Sequence, residues 1–396
     1  MKTLMILGAS ILQIPAILKA KEMGLQVIAV DMDKNAVGFQ HADICLDIST
    51  IDIPKVVHAA QKYKIDGIMT LASDMPMRTV AAVAKELNIV GISEETALNA
   101  TNKGMMRECL KQYNIPIPLF FKVNTKEEYI NAIKQFDDKC IVKPADNSGS
   151  RGVYLISNIK DKKTIHHAYK YSKRYSRSGE IMVEEYMEGP EVSVEALSVE
   201  GEVHGIAVTN KLTLGAPKFV EMGHSQPSLL PREIEKEVTM IATDAIKAIG
   251  IENGPSHTEI IITKEGPKIV ELGARLGGDN IATHLVPLST GVDMVKCCID
   301  IALNNKPEFG GKIRKGSAIR YFMTSAGRIT DISGIDKAQK IPGVKQITFI
   351  KNIGDVIYDI NSSSDRIGFV IAQSESANEA ISVCEEVLSK IEIDID

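Results

Sequence analysis

The chain has 396 residues, 44% hydrophobic and 24% charged, with a formal net charge of −5 and a mean hydropathy near zero. That profile describes a globular protein with length for two or three domains. No apolar run approaches the ~20 residues of a membrane span, and an acidic chain with no tryptophan offers no basic, base-stacking footprint for nucleic acid. Small molecules are the expected partners. Six cysteines (Cys45, Cys109, Cys140, Cys297, Cys298, Cys384) form no C-x-x-C pair and no metal-ligand spacing, so reduced, mostly buried thiols and a cytoplasmic location are expected.

The opening MKTLMILGAS has an apolar core of only Leu4 to Leu7, too short for a secretory leader, and reads as a first buried strand. Gly8-Ala9-Ser10 turns into a helix from Gln13 to Met23, and Leu25 to Val30 ends in Asp31, completing a β-α-β unit. Further strands are expected at Ile44 to Asp47, Gly67 to Thr70 and Ile89 to Gly91, with helices opened by Pro54 and near Met77 to Leu87. This alternation predicts a doubly wound parallel sheet over residues 1–100, with ligands at the strands' carboxyl ends. A dinucleotide site with Asp31 on a ribose is disfavoured, because the loop after the first strand lacks the second and third glycines of that fingerprint. Ser73 and Asp74 end a strand, where Asp74 either lines a substrate cleft or caps the following helix.

Thr101 to Tyr113 reads as an amphipathic helix carrying Lys103 and Arg107, and Ile115-Pro116-Ile117-Pro118 forces an extended linker. Cys140 to Pro144 and Val153 to Ile156 then flank a loop, Ala145 to Gly152, with Lys143 at its root and Arg151 near its tip. Glycine and serine let backbone N–H groups close on anionic oxygens, and Lys143 adds a point charge. The spacing is not that of a P-loop, and a polar hairpin without a ligand fits the same residues. A helix near Lys162 to Lys173 and a strand Ile181 to Glu184 follow, and Gly189-Pro190 ends the segment, placing a hinge near residue 188.

Beyond it, Val192 to Val199 and Val203 to Val208 read as an antiparallel pair, and Thr209 to Leu230 as a long polar connection holding Glu221 and His224. Pro231 opens a helix with Ile234, Val238, Ile241, Ala245 and Ile249 at helical spacing, stopped by Gly250. The stretch His257 to Gly278 carries the most chemistry. Its two apolar runs flank Lys264-Glu265-Gly266, read as a three-residue hairpin loop, so that pairing Thr263 with Pro267 sets Glu259 opposite Glu271. Opposed carboxylates about 5 Å apart repel and suit a hard cation such as Mg²⁺, which takes one or two carboxylates and fills its shell with water and phosphate. Two exposed acids on a solvated hairpin would look the same.

Taken together, these residues resemble the ATP-grasp superfamily: Lys103, Lys143-Pro144, Ser148-Gly149-Ser150-Arg151-Gly152, Glu184-Glu185-Tyr186-Met187, Glu191, Glu259, Glu271 and Arg275 stand in that family's order and approximate spacing. The resemblance implies two subdomains clasping ATP, with Lys103 and Lys143 on the phosphates and Ser148, Gly149, Ser150 and Gly152 in a lid. It also implies an adenine hinge at Glu184, Glu185 and Met187, Glu191 on the ribose, and Glu259 and Glu271 on Mg²⁺ or Mn²⁺. Many members carry Asn two residues after the second metal carboxylate, whereas this chain has Gly273.

Within the superfamily the chain is most similar to the L-amino acid ligase branch. There a Glu-x-x-His matching Glu221 and His224, and an Arg matching Arg275, contact the amino-acid substrate, with Gly277 and Gly278 beside them. Expected domains are 1–100, 101–187 (linker helix and small subdomain), 188–305 (large subdomain) and a small α+β cap at 306–396. The expected activity is amide formation through an acyl phosphate, with Lys143, Arg151 and Arg275 stabilising charge. Bicarbonate activation, ligation of a phosphoribosyl amine and a nucleotide-binding regulator are the alternatives. The branch also brings an expectation of a homodimer.

Overall fold

The computed structural model describes residues 1–310 and 313–396. The N-terminal sheet is parallel, with the spatial order Ile44–Asp47, Gln26–Asp31, Thr3–Leu7, Gly67–Met69. Asp31 holds the first loop together, its carboxylate accepting from the backbone N–H groups of Ala9 (2.8 Å) and Asp33 (3.0 Å). Ile89 to Gly91, expected as a strand, forms none. Asn88 ends the preceding helix in a left-handed conformation and the Ile89 N–H donates back to Ala84, so this segment is spent on closing the helix.

The helix expected from Thr101 to Tyr113 forms over Lys103–Gln112, and Thr101 ends a separate helix before it, Glu94–Thr101. Asn102 separates them in an extended conformation, and its side chain caps the second by accepting from the Met105 N–H at 2.9 Å. Lys103 is therefore the first residue of its helix. Its own N–H bonds Ala145 at the root of the glycine-serine loop.

Residues of the small subdomain form an antiparallel sheet in the order Phe120–Val123, Ile181–Glu185, Cys140–Pro144, Tyr154–Ile156. Helices Lys126–Ile133 and Lys162–Tyr175 share a core with it through Tyr129, Ile133, Val142, Ala168 and Val183.

An eight-stranded sheet carries the rest: Gly266–Gly273, Gly254–Thr263, Glu191–Val199, Glu202–Thr213, Glu221–Gln226, Gly316–Tyr321, Gly368–Ser374 and Val344–Phe349. All of its pairs are antiparallel. Val192, Val194, Ala196, Val208, Ile260 and Leu272 point to one face and pack with Val238, Ile241, Ala245 and Ile249 of the helix Arg232–Ile249. Each such side chain contributes roughly 1.5–3 kcal/mol on full burial, so this face anchors the sheet and leaves the other for chemistry. The C-terminal strands extend the same sheet through the pairs Gly223–Arg320 and His224–Ile319. The tail thus shares the sheet of the large subdomain while keeping a core of its own around Ala318, Ile329, Val370, Cys384 and Val387.

Two expectations need correction. Thr209 to Leu230 is not one long loop: strand Glu202–Thr213 runs on through it, and Glu221–Gln226 pairs back onto that strand. In the hairpin the loop has two residues, Lys264 and Glu265, with Thr263 paired to Gly266 and Ile261 to Lys268. That register alone would take Glu259 out of line with Glu271, but a bulge between Glu259 and Ile260 leaves Val270 as the extra residue and restores the Glu259–Glu271 pair.

Candidate active site

Residues directly paired across strands point to the same face of a sheet. Ser193 pairs with Glu259, Glu195 with His257, Glu259 with Glu271 and Lys211 with His224, so all of these project from the face opposite the helix. Glu221 joins them only because of a second bulge. Thr213 pairs with Glu221 and Leu212 with Gly223, leaving Met222 as the extra residue, and a three-residue spacing that would otherwise split Glu221 from His224 puts both on one side.

This face floors a cavity of about 480 Å³, within the size range of small-molecule sites. Glu191, Glu221, Glu259, Glu271 and Arg275 line it from below, while Lys143, the loop Asn147 to Arg151 and the segment Glu184 to Gly189 line it from the small subdomain.

Lys211, which the sequence reading passed over, sits at the centre. It is almost fully buried, with Nζ 2.6 Å from Glu191, 2.9 Å from Glu259 and 3.5 Å from Glu221. Burial alone would lower its pKa, but the three carboxylates outweigh that and raise it well above the ordinary value. The Glu191 pKa is raised as well, since burial and the neighbouring Glu259 outweigh the pull of Lys211. On the facing strand, the Lys103 Nζ donates to Glu271 (2.8 Å) and to the Asn147 carbonyl (2.7 Å). Each proposed metal carboxylate therefore already faces an ammonium in the position where positive charge is needed.

Among the described residues no group of three or more His, Cys, Asp or Glu side chains is close enough to hold a metal unaided. Two all-oxygen donors beside a phosphate-sized cavity nevertheless fit Mg²⁺, which keeps waters and shares phosphate oxygens instead of demanding a protein cage.

At the root of the small subdomain, Glu184 is buried between two cations, bidentate with Arg107 (2.9 and 3.1 Å) and 2.7 Å from the Lys143 Nζ. Burial raises the Glu184 pKa, but Arg107 and Lys143 outweigh it and hold the carboxyl at about 2. Burial is also the main reason the Lys143 pKa is lowered. Arg107 further donates to the carbonyl of Val270 (2.7 Å), the bulge residue of the hairpin, and so links the linker helix, the small subdomain and the floor. Glu185 is engaged by Lys268 (3.0 and 3.2 Å) and accepts from the Leu119 N–H (3.1 Å), while Met187 lines the cavity.

In the loop above, Gly149, Ser150 and Gly152 have φ of +65°, +58° and +81°, a run of left-handed backbone that explains the glycines. The Ser150 hydroxyl donates to the Phe219 carbonyl (3.1 Å), closing the loop onto the large subdomain, and the exposed Arg151 bends back to the Ser148 carbonyl (3.0 Å).

On the substrate side, Arg275 Nε donates to Asp74 at 2.8 Å, bringing the N-terminal sheet into the site. The helix Pro76–Leu87 has no side-chain cap, so Asp74 is not its capping residue. A Cβ on Gly273 would lie 2.9 Å from that same Asp74 oxygen and 3.2 Å from the Arg275 Nε, so a larger side chain here would have to displace this pair. Ser73 makes only a 3.5 Å contact from Gln13. His224 does not face the cavity: its Nε2 lies 3.3 Å from Asp279, which Arg366 grips bidentately at 2.7 and 2.6 Å. Burial raises the Asp279 pKa, but Arg366 and His224 hold it well below the usual range. Arg366 also stacks over Tyr321, 3.8 Å from the ring centre. Glu221 is the member of the Glu-x-x-His pair that reaches the cavity. Gly277 lies under the site against Glu195 and His257, whereas Gly278 faces open space.

Residues 136–283 match the ATP-grasp domain, and residues 320–396 match the L-amino acid ligase C-terminal domain 2. The alanine–anticapsin ligase of Bacillus subtilis (strain 168) is 25% identical over 63% of the chain, which spans 56% of that enzyme's length. An L-amino acid ligase from Bacillus licheniformis superposes with a TM-score of 0.85 over 100% of this chain and 99% of that one, at 24% identity. A phosphoribosylglycinamide synthetase from Anaerococcus prevotii does so with a TM-score of 0.80 over 100% of both chains, also at 24% identity. At that identity the two structures establish the fold alone. Among the described residues, no helix is long and apolar enough to cross a membrane.

Proposed function

Since the chain joins an ATP-grasp domain to an L-amino acid ligase C-terminal domain and is thereby an ATP-dependent ligase, we propose that it forms an amide between two amino acids. A carboxylate oxygen of one attacks the γ-phosphorus of ATP, the bond to the β,γ-bridging oxygen breaks, and ADP leaves. The amine of the other then attacks the acyl phosphate, phosphate leaves, and the nitrogen gives its proton to solvent.

No side chain needs to act as a nucleophile, so the protein's contribution is positioning and charge stabilisation. Lys103 and Lys143 meet the phosphates, and the Ser148 to Gly152 backbone covers them. Glu191 takes the ribose, and the Glu184 to Met187 hinge walls the adenine. Glu259 and Glu271 hold Mg²⁺, which when bound offsets phosphoryl charge. Arg275, aimed by Asp74, steadies the acyl phosphate, and Glu221 takes the ammonium of the activated amino acid. His224 acts through Asp279 and Arg366 on the shape of the pocket.

One observation carries the reading: a single sheet face gathers Lys211, Glu191, Glu259 and Glu271, with Arg275 just beyond the end of strand Gly266–Gly273, under a cavity roofed by the Lys143 loop. The C-terminal match favours amino acids over a phosphoribosyl amine. Phosphate release with Mg-ATP over a matrix of paired amino acids, with products weighed by mass spectrometry, tests it. Dipeptide masses are expected. Phosphate release that requires bicarbonate or a phosphoribosyl amine, and yields no dipeptide with any pair, would refute it.

A further inference from the structure

Glu195 is fully buried in the middle of the strand Glu191–Val199, and the mechanism above gives it no task. Its Oε1 accepts from the Ser193 hydroxyl (2.9 Å) and lies 2.7 Å from Nδ1 of His257, which is also buried. The other nitrogen, Nε2, lies 3.2 Å from Glu259 Oε1. Ionised carboxylates only accept hydrogen bonds, so a ring held between two of them donates from both nitrogens. The outcome is a hydrogen-bonded chain that runs along one strand, crosses to its neighbour and returns: hydroxyl, carboxylate, imidazole, carboxylate, ending on an acid proposed to hold the cation.

The same pair supports the loop that carries Arg275. A Cβ on Gly277 would fall 2.6 Å from Glu195 Oε2 and 2.9 Å from His257 Nδ1, so residue 277 lies directly on the pair and only glycine fits. Among the described residues, Glu195 Oε2 has no hydrogen-bond partner. Burying an incompletely satisfied carboxylate costs several kcal/mol, and apolar residues of similar volume commonly stabilise a core as well or better. Stability alone is thus a poor reason for charge at this position.

We propose that Glu195 and His257 are positioning residues, a buried strut that fixes the Glu259 carboxylate for the cation and forms the floor beneath the Arg275 loop. This rests on the assignment of Glu259 to the cation. Hydrogen-bonded partners behind metal ligands commonly contribute 10- to 100-fold in metal affinity. Without the strut, Glu259 keeps only Lys211 as a partner and turns toward it, away from the phosphates.

The test uses two charge-neutral double variants of the full chain. Glu195→Gln with His257→Leu removes the strut. Glu195→Gln with His257→Gln rebuilds it from amides, the amide at position 195 donating to the side-chain carbonyl at position 257, whose own amide donates to Glu259. Binding of Mn²⁺ in the presence of ADP is followed by the electron paramagnetic resonance of free Mn²⁺, and ADP binding in EDTA is measured on the same sample, so loss of folded protein lowers both readings together. The Leu variant should bind Mn²⁺ about 10- to 100-fold more weakly with unchanged ADP binding in EDTA, and the Gln variant should recover most of the loss. Wild-type Mn²⁺ affinity in the Leu variant, or equal losses in both variants, overturns the positioning role. Glu259→Gln is the control: if it leaves Mn²⁺ affinity unchanged, the cation assignment itself fails and takes the strut with it.

Discussion

Replacing Lys211 with Met keeps the length of the side chain and removes the one ammonium shared by Glu191, Glu259 and Glu221. Breaking a buried ion pair from one side costs roughly 3–5 kcal/mol, because the remaining charge is uncompensated. Proton uptake sets a ceiling on that loss. Burial already raises the Glu191 pKa, and protonating a carboxyl with an ordinary value near 4.5 at pH 7 costs about 3 kcal/mol. The expected deficit in EDTA at pH 7 is therefore about 3 kcal/mol, or roughly 6–12 °C in Tm for a cooperative unit of 150–250 residues. It should shrink toward pH 5, where the proton is cheaper to bind. Saturating Mg²⁺ and ADP should close more than half of the gap to wild type, because the cation takes the place of the missing ammonium. Calorimetry or far-ultraviolet circular dichroism melts in the two buffers decide the matter. A variant as stable as wild type in EDTA, or one whose deficit is the same with and without Mg²⁺, would refute the idea that Lys211 and the metal serve the same carboxylates.

Two further outcomes follow from the geometry. The Glu184 carboxyl is held at about 2 in the folded chain against an ordinary 4.5, so its contribution, on the order of 3 kcal/mol, is complete above pH about 4.5 and is lost as pH falls toward 2. Wild type should destabilise over that interval in denaturant titrations, and Glu184→Gln should flatten the profile there; an equally steep profile in the variant contradicts the assignment. Arg366→Met removes the bidentate guanidinium from Asp279, so kcat/KM for the amino acids should fall about 10- to 100-fold, in line with the loss of a positioning contact, while the Kd for ADP stays within about threefold. A matching loss of ADP affinity would mean that Arg366 holds up the whole fold instead of the substrate side.

Four strands of the N-terminal sheet, the strands around Lys143 and Glu184 and the hairpin were legible in the sequence because their signals are local: buried strands read as apolar runs, and Gly266 marks a turn whatever its length. Phe120–Val123 and Lys126–Ile133 went unread. The Glu259–Glu271 pair was reached through a register that the outer half of the hairpin does not have, and it stands because a bulge at Val270 compensates. Bulges leave little trace in a hydrophobic pattern, since one extra residue changes no residue type. The same blindness hid Lys211. Thr209 to Thr213 is polar and shows no apolar alternation, so the segment looked like a connection, and the bulge at Met222 broke the spacing that would have shown Glu221 and His224 sharing a face. Long-range pairs such as Asp74 with Arg275 and Asp279 with Arg366 join residues about 200 and 90 positions apart, and no periodicity reports on them.

What unites these misses is that the site is a property of one sheet face and not of motifs taken singly. Antiparallel pairing makes directly opposed residues share a face, and two bulges adjust the phase on two strands so that five glutamates, two histidines and one lysine converge. Such a face is strongly anionic and would repel ATP. In this chain Lys103, Lys211 and Arg275 each occupy a carboxylate on it or beside it, so the site is close to balanced before any ligand arrives. On the proposed function, Glu259 and Glu271 would hold the cation, which would supply the positive charge these acids now take from Lys211 and Lys103 and free those ammoniums for the phosphates. Gly273 fits that scheme. By leaving out a third metal-facing side chain it admits Asp74, which brings the N-terminal sheet into contact with Arg275, so the balance of charge in the ATP site and the aim of the substrate-side arginine are set by the same pair of residues.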